Sequence, residues 1–301
     1  MSCGNVEYEP SELPLPTSMK MLLALTFASA CSAAGAQTPA SNPMPDGSRD
    51  LYFGLGAVSE PAYVGSSARR VRALPLVQLE WSNGVFISGL SAGMHLSQQP
   101  ALEYGPLLAW RVKRTEDGMG RGADGVANQS VPGSGTERDG FGSGGAPLSG
   151  MDEVKGRLQA GGFANFYLMP SVRLTGSVLY GAGKRRDGVV VDLGVQHIPA
   201  EITPRHRLSW SAGVTLVNRS YNTSYYGVSD DESLASGHPA YAARGGVQDV
   251  HVGVGWNWAL SPNWKMVSRA RATRLQGDAR LSPLTQRPTN VSLSTGLAYR
   301  F

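Results

Sequence analysis

The chain has 301 residues, of which 41% are apolar, only 17% are charged and 38 are Gly. That balance excludes a disordered chain, and no apolar run is long enough for a helical membrane span. The formal net charge is +4, but no run of bases is interleaved with stacking aromatics, so nucleic acid is not the implied partner.

The first apolar run, residues 21–30, follows Lys20 and leads into Ala34-Gly-Ala36. A basic residue, a short apolar core and an Ala-x-Ala site predict a secretory signal cleaved after Ala36. Residues 1–18 are acidic and Pro-rich, unlike the positive end of such a signal. Translation is therefore expected to start at Met19, with residues 1–36 forming the signal region. A lipid-modified Cys31 is the alternative, against which Ala28-Ser-Ala30 is a poor lipoprotein site. The two cysteines are Cys3 and Cys31, so a chain cleaved after Ala36 holds no disulfide and no thiolate metal site. Cleavage there also removes Lys20, Glu7, Glu9 and Glu12, leaving 26 basic against 20 acidic residues, a charge of +6. Residues 37–49 are Pro-rich and polar and read as a flexible periplasmic leader.

Residues 50–301 carry strand periodicity almost throughout. Residues 51–58 form the first strand candidate, and residues 60–66 favour a turn. Val71, Ala73, Pro75, Val77, Leu79 and Trp81 then alternate with Arg72, Gln78 and Glu80, the period of a strand with one apolar and one polar face. Asn83-Gly84 is a tight-hairpin signal. Residues 85–96 are strand-like but interrupted near Gly89. Leu102, Tyr104, Leu108, Trp110 and Val112 oppose Glu103, Arg111 and Lys113. Residues 114–150 are dense in Gly, Ser, Asp and Arg and read as a long loop. Further alternation places Val154, Leu158, Ala160, Ala164, Phe166 and Leu168 against Lys155, Arg157, Gln159, Asn165 and Tyr167, and Val172, Leu174, Val178 and Tyr180 against Arg173, Thr175 and Ser177. Val189, Val191, Leu193, Val195 and His197 oppose Asp192, Gly194 and Gln196. Leu208, Trp210, Ala212, Val214 and Leu216 oppose Arg207, Ser209, Ser211 and Thr215. After a second polar loop at 219–246, Val250, Val252, Val254, Trp256 and Trp258 oppose His251, Gly253 and Asn257. Trp264, Met266, Ala270 and Ala272 oppose Lys265, Arg269 and Arg271. A third loop spans 275–289.

The last stretch sets the architecture. Val291, Leu293, Thr295, Leu297, Tyr299 and Phe301 alternate with Ser292, Ser294, Gly296, Ala298 and Arg300, ending on an aromatic of the apolar face. An edge strand of a soluble sandwich is the alternative. Short turns at 169–171 and 261–263 alternate with the long loops, however, and aromatics of the apolar face cluster at strand ends. Both features predict an all-β, antiparallel transmembrane barrel with short periplasmic turns and long external loops. Eleven stretches are visible. Dividing residues 85–96 at Gly89 gives twelve strands, and dropping residues 51–58 gives the alternative, ten.

Several pieces resemble the MipA/OmpV family, whose name refers to interaction with a murein-degrading lytic transglycosylase. They are Gly54-Leu-Gly56 with Pro61-Ala-Tyr-Val-Gly-Ser66, Val71-Arg-Ala-Leu-Pro75, Tyr104-Gly-Pro106 with Trp110-Arg111, and Tyr225-Tyr-Gly-Val228 with Ser236-Gly-His-Pro-Ala-Tyr241. Leu275-Gln-Gly-Asp278, Ser282-Pro283 and Tyr299-Arg-Phe301 complete the set. The resemblance implies a barrel of the Gram-negative outer membrane and, in some members, a scaffold joining murein synthases and hydrolases. It supplies no catalytic, cofactor or metal residue, and nothing is carried over onto the Gly-rich insertion 114–150.

Three constellations remain. His95 and Ser97 lie two apart, as a lipid-deacylating base and nucleophile on one strand face would, but no carboxylate lies nearby in sequence to orient the histidine. A hydrogen-bonded lumen or turn pair is the plainer reading. Asp230-Asp231-Glu232 with His238 could hold a hard cation, or form a solvated acidic loop. The lumen-side bases Arg72, Arg111, Lys155, Arg157, Arg173, Arg207, Lys265, Arg269 and Arg271 outnumber the acids Glu80, Glu103 and Asp192. That excess would favour anions in an open pore, or paired charges would fill a barrel this narrow. The Gly-x-Gly at Gly54 and Gly56 is not a phosphate loop, because no helix follows it. No catalytic residue, cofactor or metal ligand is assigned. The expected function is a non-enzymatic scaffold or interaction protein among outer-membrane lipid. Its partner surface would be residues 37–49, residues 59–70 if periplasmic, and the barrel rims. A small-solute channel is the alternative, and a lipid-modifying enzyme the third reading.

Overall fold

A computed structural model describes residues 49–97, 99, 101–119, 146–183 and 187–301. The expected signal region and leader therefore lie outside the described residues, as does most of the 114–150 insertion. Twelve antiparallel strands close into a barrel. In chain order they are β1 (Arg49–Pro61), β2 (Arg69–Trp81), β3 (Val85–Ser88), β4 (Ser91–Met94) and β5 (Leu102–Arg111), followed by β8 (Arg157–Met169), β9 (Val172–Ala182), β10 (Gly188–Thr203), β11 (His206–Val217), β12 (Gly246–Ala259), β13 (Trp264–Leu275) and β14 (Thr289–Arg300). A small separate hairpin, β6 (Arg114–Thr115) with β7 (Gly118–Met119), lies outside the wall. The twelve-strand reading holds, because residues 51–58 belong to a full strand that closes the barrel from Tyr52 opposite Arg300 to Ser59 opposite Leu293. The expected break at Gly89 is the turn between β3 and β4.

The alternation places the apolar positions outward. Leu55 is 64% exposed, Leu158 59% and Val252 56%, values a water-facing wall could not sustain on every strand. Hydrocarbon covers them, and barrel closure satisfies the backbone groups that lipid cannot. Where β1 begins and β14 finishes, rings pack edge to face: Trp264 on Tyr299 at 5.0 Å and Tyr299 on Phe301 at 4.9 Å. The short turns at this end mark it as periplasmic. Strands approach closely beside it. Gly56 faces Gly296 across β1 and β14, and a Cβ on Gly56 would lie 2.7 Å from the Gly296 Cα.

One part of the wall is irregular. The β3–β4 hairpin reaches only part of the barrel height and pairs with β2 at Gln78, Leu79 and Glu80. Among the described residues no strand pairs with that edge of β2 above Val77. The Gly89 N–H donates to the Val77 carbonyl, so alternate residues, Pro75 included, aim their backbone toward the unpaired side. Pro75 sits where its missing N–H breaks no ladder bond. On the far side, the β4–β5 ladder runs from Ser91 opposite Ala109 to Gly93 opposite Leu107 and stops beside Pro106.

Two expectations need correction. Val154 and Lys155 precede β8 rather than opening it: Val154 exchanges backbone hydrogen bonds with Arg114 and is buried, while Lys155 is exposed and takes no lumen position. The long external loops expected at 219–246 and 275–289 are present. They hold α1 (Arg219–Tyr226), α2 (Asp230–Ser236) and α3 (Gly277–Leu281). The connection after β1 lies at the external end, because Tyr63 and Gly65 bond to Leu284 and Asn290 of the last long loop and strand. It offers no periplasmic surface.

Candidate functional site

The external end of the lumen is built by its long connections. Asn218 caps α1, its Oδ1 accepting from the Tyr221 N–H at 3.0 Å, and α1 turns Tyr221, Tyr225 and Tyr226 inward. These rings join Ala62, Met119, Leu148, Leu275 and Leu284 in a buried apolar cluster across the mouth. Hydrogen bonds hold the pieces together from distant points of the chain. The Tyr226 hydroxyl donates to the Val64 carbonyl (3.1 Å), the Tyr63 hydroxyl to the Leu284 carbonyl (2.7 Å), and the Arg114 guanidinium to the Tyr225 carbonyl (2.7 Å). Burial pushes the Tyr63 phenol up to about 12, so it stays a donor at any physiological pH. Beneath the cluster Arg111 lies over the Tyr221 and Tyr225 rings, at 5.2 and 5.4 Å from their centroids. Among the described residues these contacts make a packed apolar cap at the external end.

Below it the inward faces of the strands hold both polar networks and apolar patches. Glu103 of β5 accepts from the Arg173 guanidinium at 3.0 Å, from Asn165 at 3.1 Å and from the Tyr167 hydroxyl at 2.5 Å. Arg173 also donates to Gln196 at 2.8 and 3.0 Å. A second network joins Asp192 to Thr215 (3.1 Å) and Asp249 to His251 Nδ1 (3.0 Å). Arg72 pairs with Glu60 at 3.3 Å, and Lys265 meets the Tyr52 ring at 4.4 Å. Arg207 and Arg271 remain exposed on the inward face of β11 and β13. Of the expected lumen bases only Lys155 is misplaced, and several of the others have partners. Alternation missed the inward apolar groups: Leu74, Leu76, Val58 and Val267 form one cluster, and Phe86, Leu107, Phe163 and Leu179 another. They interrupt the polar face and can be found only once the strands are assembled.

The other candidates resolve into structural roles. His95 follows β4, its N–H donating to the Gly84 carbonyl (2.9 Å). Its ring packs on Phe86 and Phe163 at 4.9 and 5.2 Å, and burial holds the imidazole below its ordinary value. Ser97 lies beyond the strand end too, so the two do not share a strand face. The carboxylate missing from the sequence neighbourhood is Glu103, which is committed to Arg173, Tyr167 and Asn165. Glu232 completes a capping box with Ser229 at the start of α2 and accepts from the Asp152 N–H at 3.1 Å. Asp230 and Asp231 sit exposed in the first turn, where the helix dipole favours them. Among the described residues no three His, Cys, Asp or Glu side chains converge as metal ligands.

Solved structures similar to the chain include the NanC porin (11% identity, 83% of this chain and 100% of that one, TM-score 0.43). The translocator domain of the autotransporter NalP from Neisseria meningitidis is another (10% identity, 94% and 96%, TM-score 0.40). An outer membrane channel from Pseudomonas putida F1 is a third (10% identity, 87% and 99%, TM-score 0.38). No curated protein sequence matches the chain. The family model for MipA, the MltA-interacting protein, matches residues 53–301, from the first wall strand to the last residue, and the chain belongs to that family.

Proposed function

We propose that this protein is a non-enzymatic barrel of the outer membrane that works as an interaction protein on the cell-wall side, linked to murein synthesis and turnover. One observation supports the first half: α1 and its neighbouring loops pack an apolar cap at the external mouth. A barrel sealed at its outer end is suited to presenting a fixed periplasmic rim rather than to passing solutes. The partner half rests on the family description, which names a protein that interacts with MltA. Among the described residues, the surface available to a partner is the rim made by residues 82–84, 95–97, 169–171, 204–205 and 260–263. Residues 37–49 extend that surface if export removes residues 1–36. The test has two arms. Planar-bilayer recordings of the refolded barrel should be electrically silent. The same protein, immobilised, should retain a lytic transglycosylase of the murein-degrading class, and rim substitutions should release it. Failure to retain such an enzyme ends the scaffold reading.

A channel is the second reading, and the exposed inward guanidinium groups of Arg207 and Arg271 favour it, because they mark a wet passage through part of the lumen. A steady, anion-preferring conductance would decide for it.

A further inference from the structure

At the periplasmic end of the lumen, between β2, β3, β8 and β9, lies a small cleft lined by Gln78, Glu80, Phe86, His95, Phe163 and Asn165, with Ser88 and Arg173 at its edge. Its polar groups are lopsided. Arg173 is the one guanidinium of the lining, and it is already engaged by Glu103, Gln196 and the Tyr167 hydroxyl. No cation among the described residues pairs with Glu80. Gln78 and Asn165 are 3% and 4% exposed, and their carbonyl oxygens accept no hydrogen bond from the protein. The Asn165 amide cannot simply turn over, because its NH2 donates to the Glu103 carboxylate at 3.1 Å and a flip would set oxygen against oxygen. Two buried carbonyl oxygens thus lack a donor, which is unfavourable, and the half-buried Glu80 carboxylate beside them lacks a cation. Beside them the Phe86 and Phe163 rings meet edge to face at 5.7 Å, with the His95 ring packed on both, and make an apolar floor.

A group with several N–H donors, a positive charge and a compact shape answers all of these features. We propose that the cleft binds a primary ammonium group on a short apolar stem, arriving from the periplasmic mouth. The –NH3+ head carries three donors and no acceptor, matching Glu80, Gln78 and Asn165, and the stem runs out of the cleft toward the periplasmic mouth, because the buried Phe86 and Phe163 rings already carry the His95 ring. An anion finds no unengaged cation here. A quaternary ammonium keeps the charge but has no N–H to give.

The experiment is calorimetric titration of the detergent-folded barrel with benzylammonium chloride at pH 7. Benzyl alcohol, sodium benzoate and benzyltrimethylammonium chloride serve as comparison ligands at matched ionic strength. Saturable binding of benzylammonium is expected, with each comparison ligand at least tenfold weaker. Glu80→Gln and Gln78→Met should each weaken benzylammonium about tenfold while the barrel keeps its heat-modifiable gel migration, and Glu153→Gln on the exposed external loop should change nothing. If one cleft variant fails to fold, the other carries the test. The proposal is overturned if benzyl alcohol or benzyltrimethylammonium binds as well as benzylammonium, or if a folded cleft variant binds like the parent. Neither the conductance nor the transglycosylase result bears on this outcome, so the two readings fail separately.

Discussion

The two ends of this lumen are built by opposite means. At the external end, pieces from four connections converge and bury tyrosines, leucines and alanines against one another, with side-chain-to-backbone hydrogen bonds pinning residues more than a hundred positions apart. At the periplasmic end the turns are short, nothing folds over the mouth among the described residues, and the inward side chains mix acids, amides and bases with two phenylalanines. The difference teaches that sealing such a barrel requires chain length. Short turns cannot reach the axis, so only the long connections can supply an apolar plug, while the other mouth stays polar and accessible.

The largest expected effect comes from breaking the cap. Tyr221 is 1% exposed, and replacing it with Ala should cost about 3 to 5 kcal/mol, as for other large-to-small core changes. Thermal unfolding in detergent should register the loss, and single-channel events should appear where the parent is silent. A Tyr221→Ala barrel that melts and conducts like the parent would show that the cluster is not the seal. Next in size is Arg173→Leu, which strands Glu103 in a partly buried site without its cation. Removing one partner of a buried pair costs about 3 to 5 kcal/mol, and a value near the lower figure is expected because the Glu103 side chain keeps 21% of its exposure. The melt should drop without any new conductance, which separates the wall from the cap.

Ser229→Ala removes half of the capping box of α2 and should cost about 1 kcal/mol. Protease cutting near residues 230–236 should quicken while the barrel melt hardly moves. The smallest effect concerns pH at the periplasmic end. Burial lowers the His95 pKa from its ordinary 6.5, so the folded state prefers the neutral ring. Its contribution is present above pH 6.5 and is lost as pH falls through the lowered value. His95→Phe should flatten that part of the stability profile, compared with the parent melted at the same pH values. A profile unchanged by the substitution would mean that the ring is solvated.

Much of the wall was legible because side chains alternate with period two, and a one-residue slip would expose every apolar face to the lumen. The outward set from Leu158 to Leu168 and from Val250 to Trp258 follows that rule without tertiary help. Pro75 was legible only in part. Its place in a clean alternation marks a strand, but that it faces an unpaired edge depends on how short the β3–β4 hairpin is. Ser229 and Glu232 carried a helix-start signature three residues apart, which the acidic run Asp230-Asp231-Glu232 disguised as a cation site. Val154 kept the strand phase by coincidence, since its bonds go to Arg114.

By itself the sequence determined the antiparallel barrel and its outward and inward faces and narrowed the count to twelve or ten strands, because these follow from local periodicity and from the parity of a closed wall; the pairing of β1 with β14 decided for twelve. Only the tertiary structure decided which charges meet, that Leu74, Leu76, Leu107 and Leu179 line parts of the lumen, and that the external loops pack into a cap. Those outcomes depend on contacts between residues far apart in the chain. Glu103 and Arg173 are separated by 70 positions and Tyr63 and Leu284 by 221, and no local pattern encodes a distance of that kind.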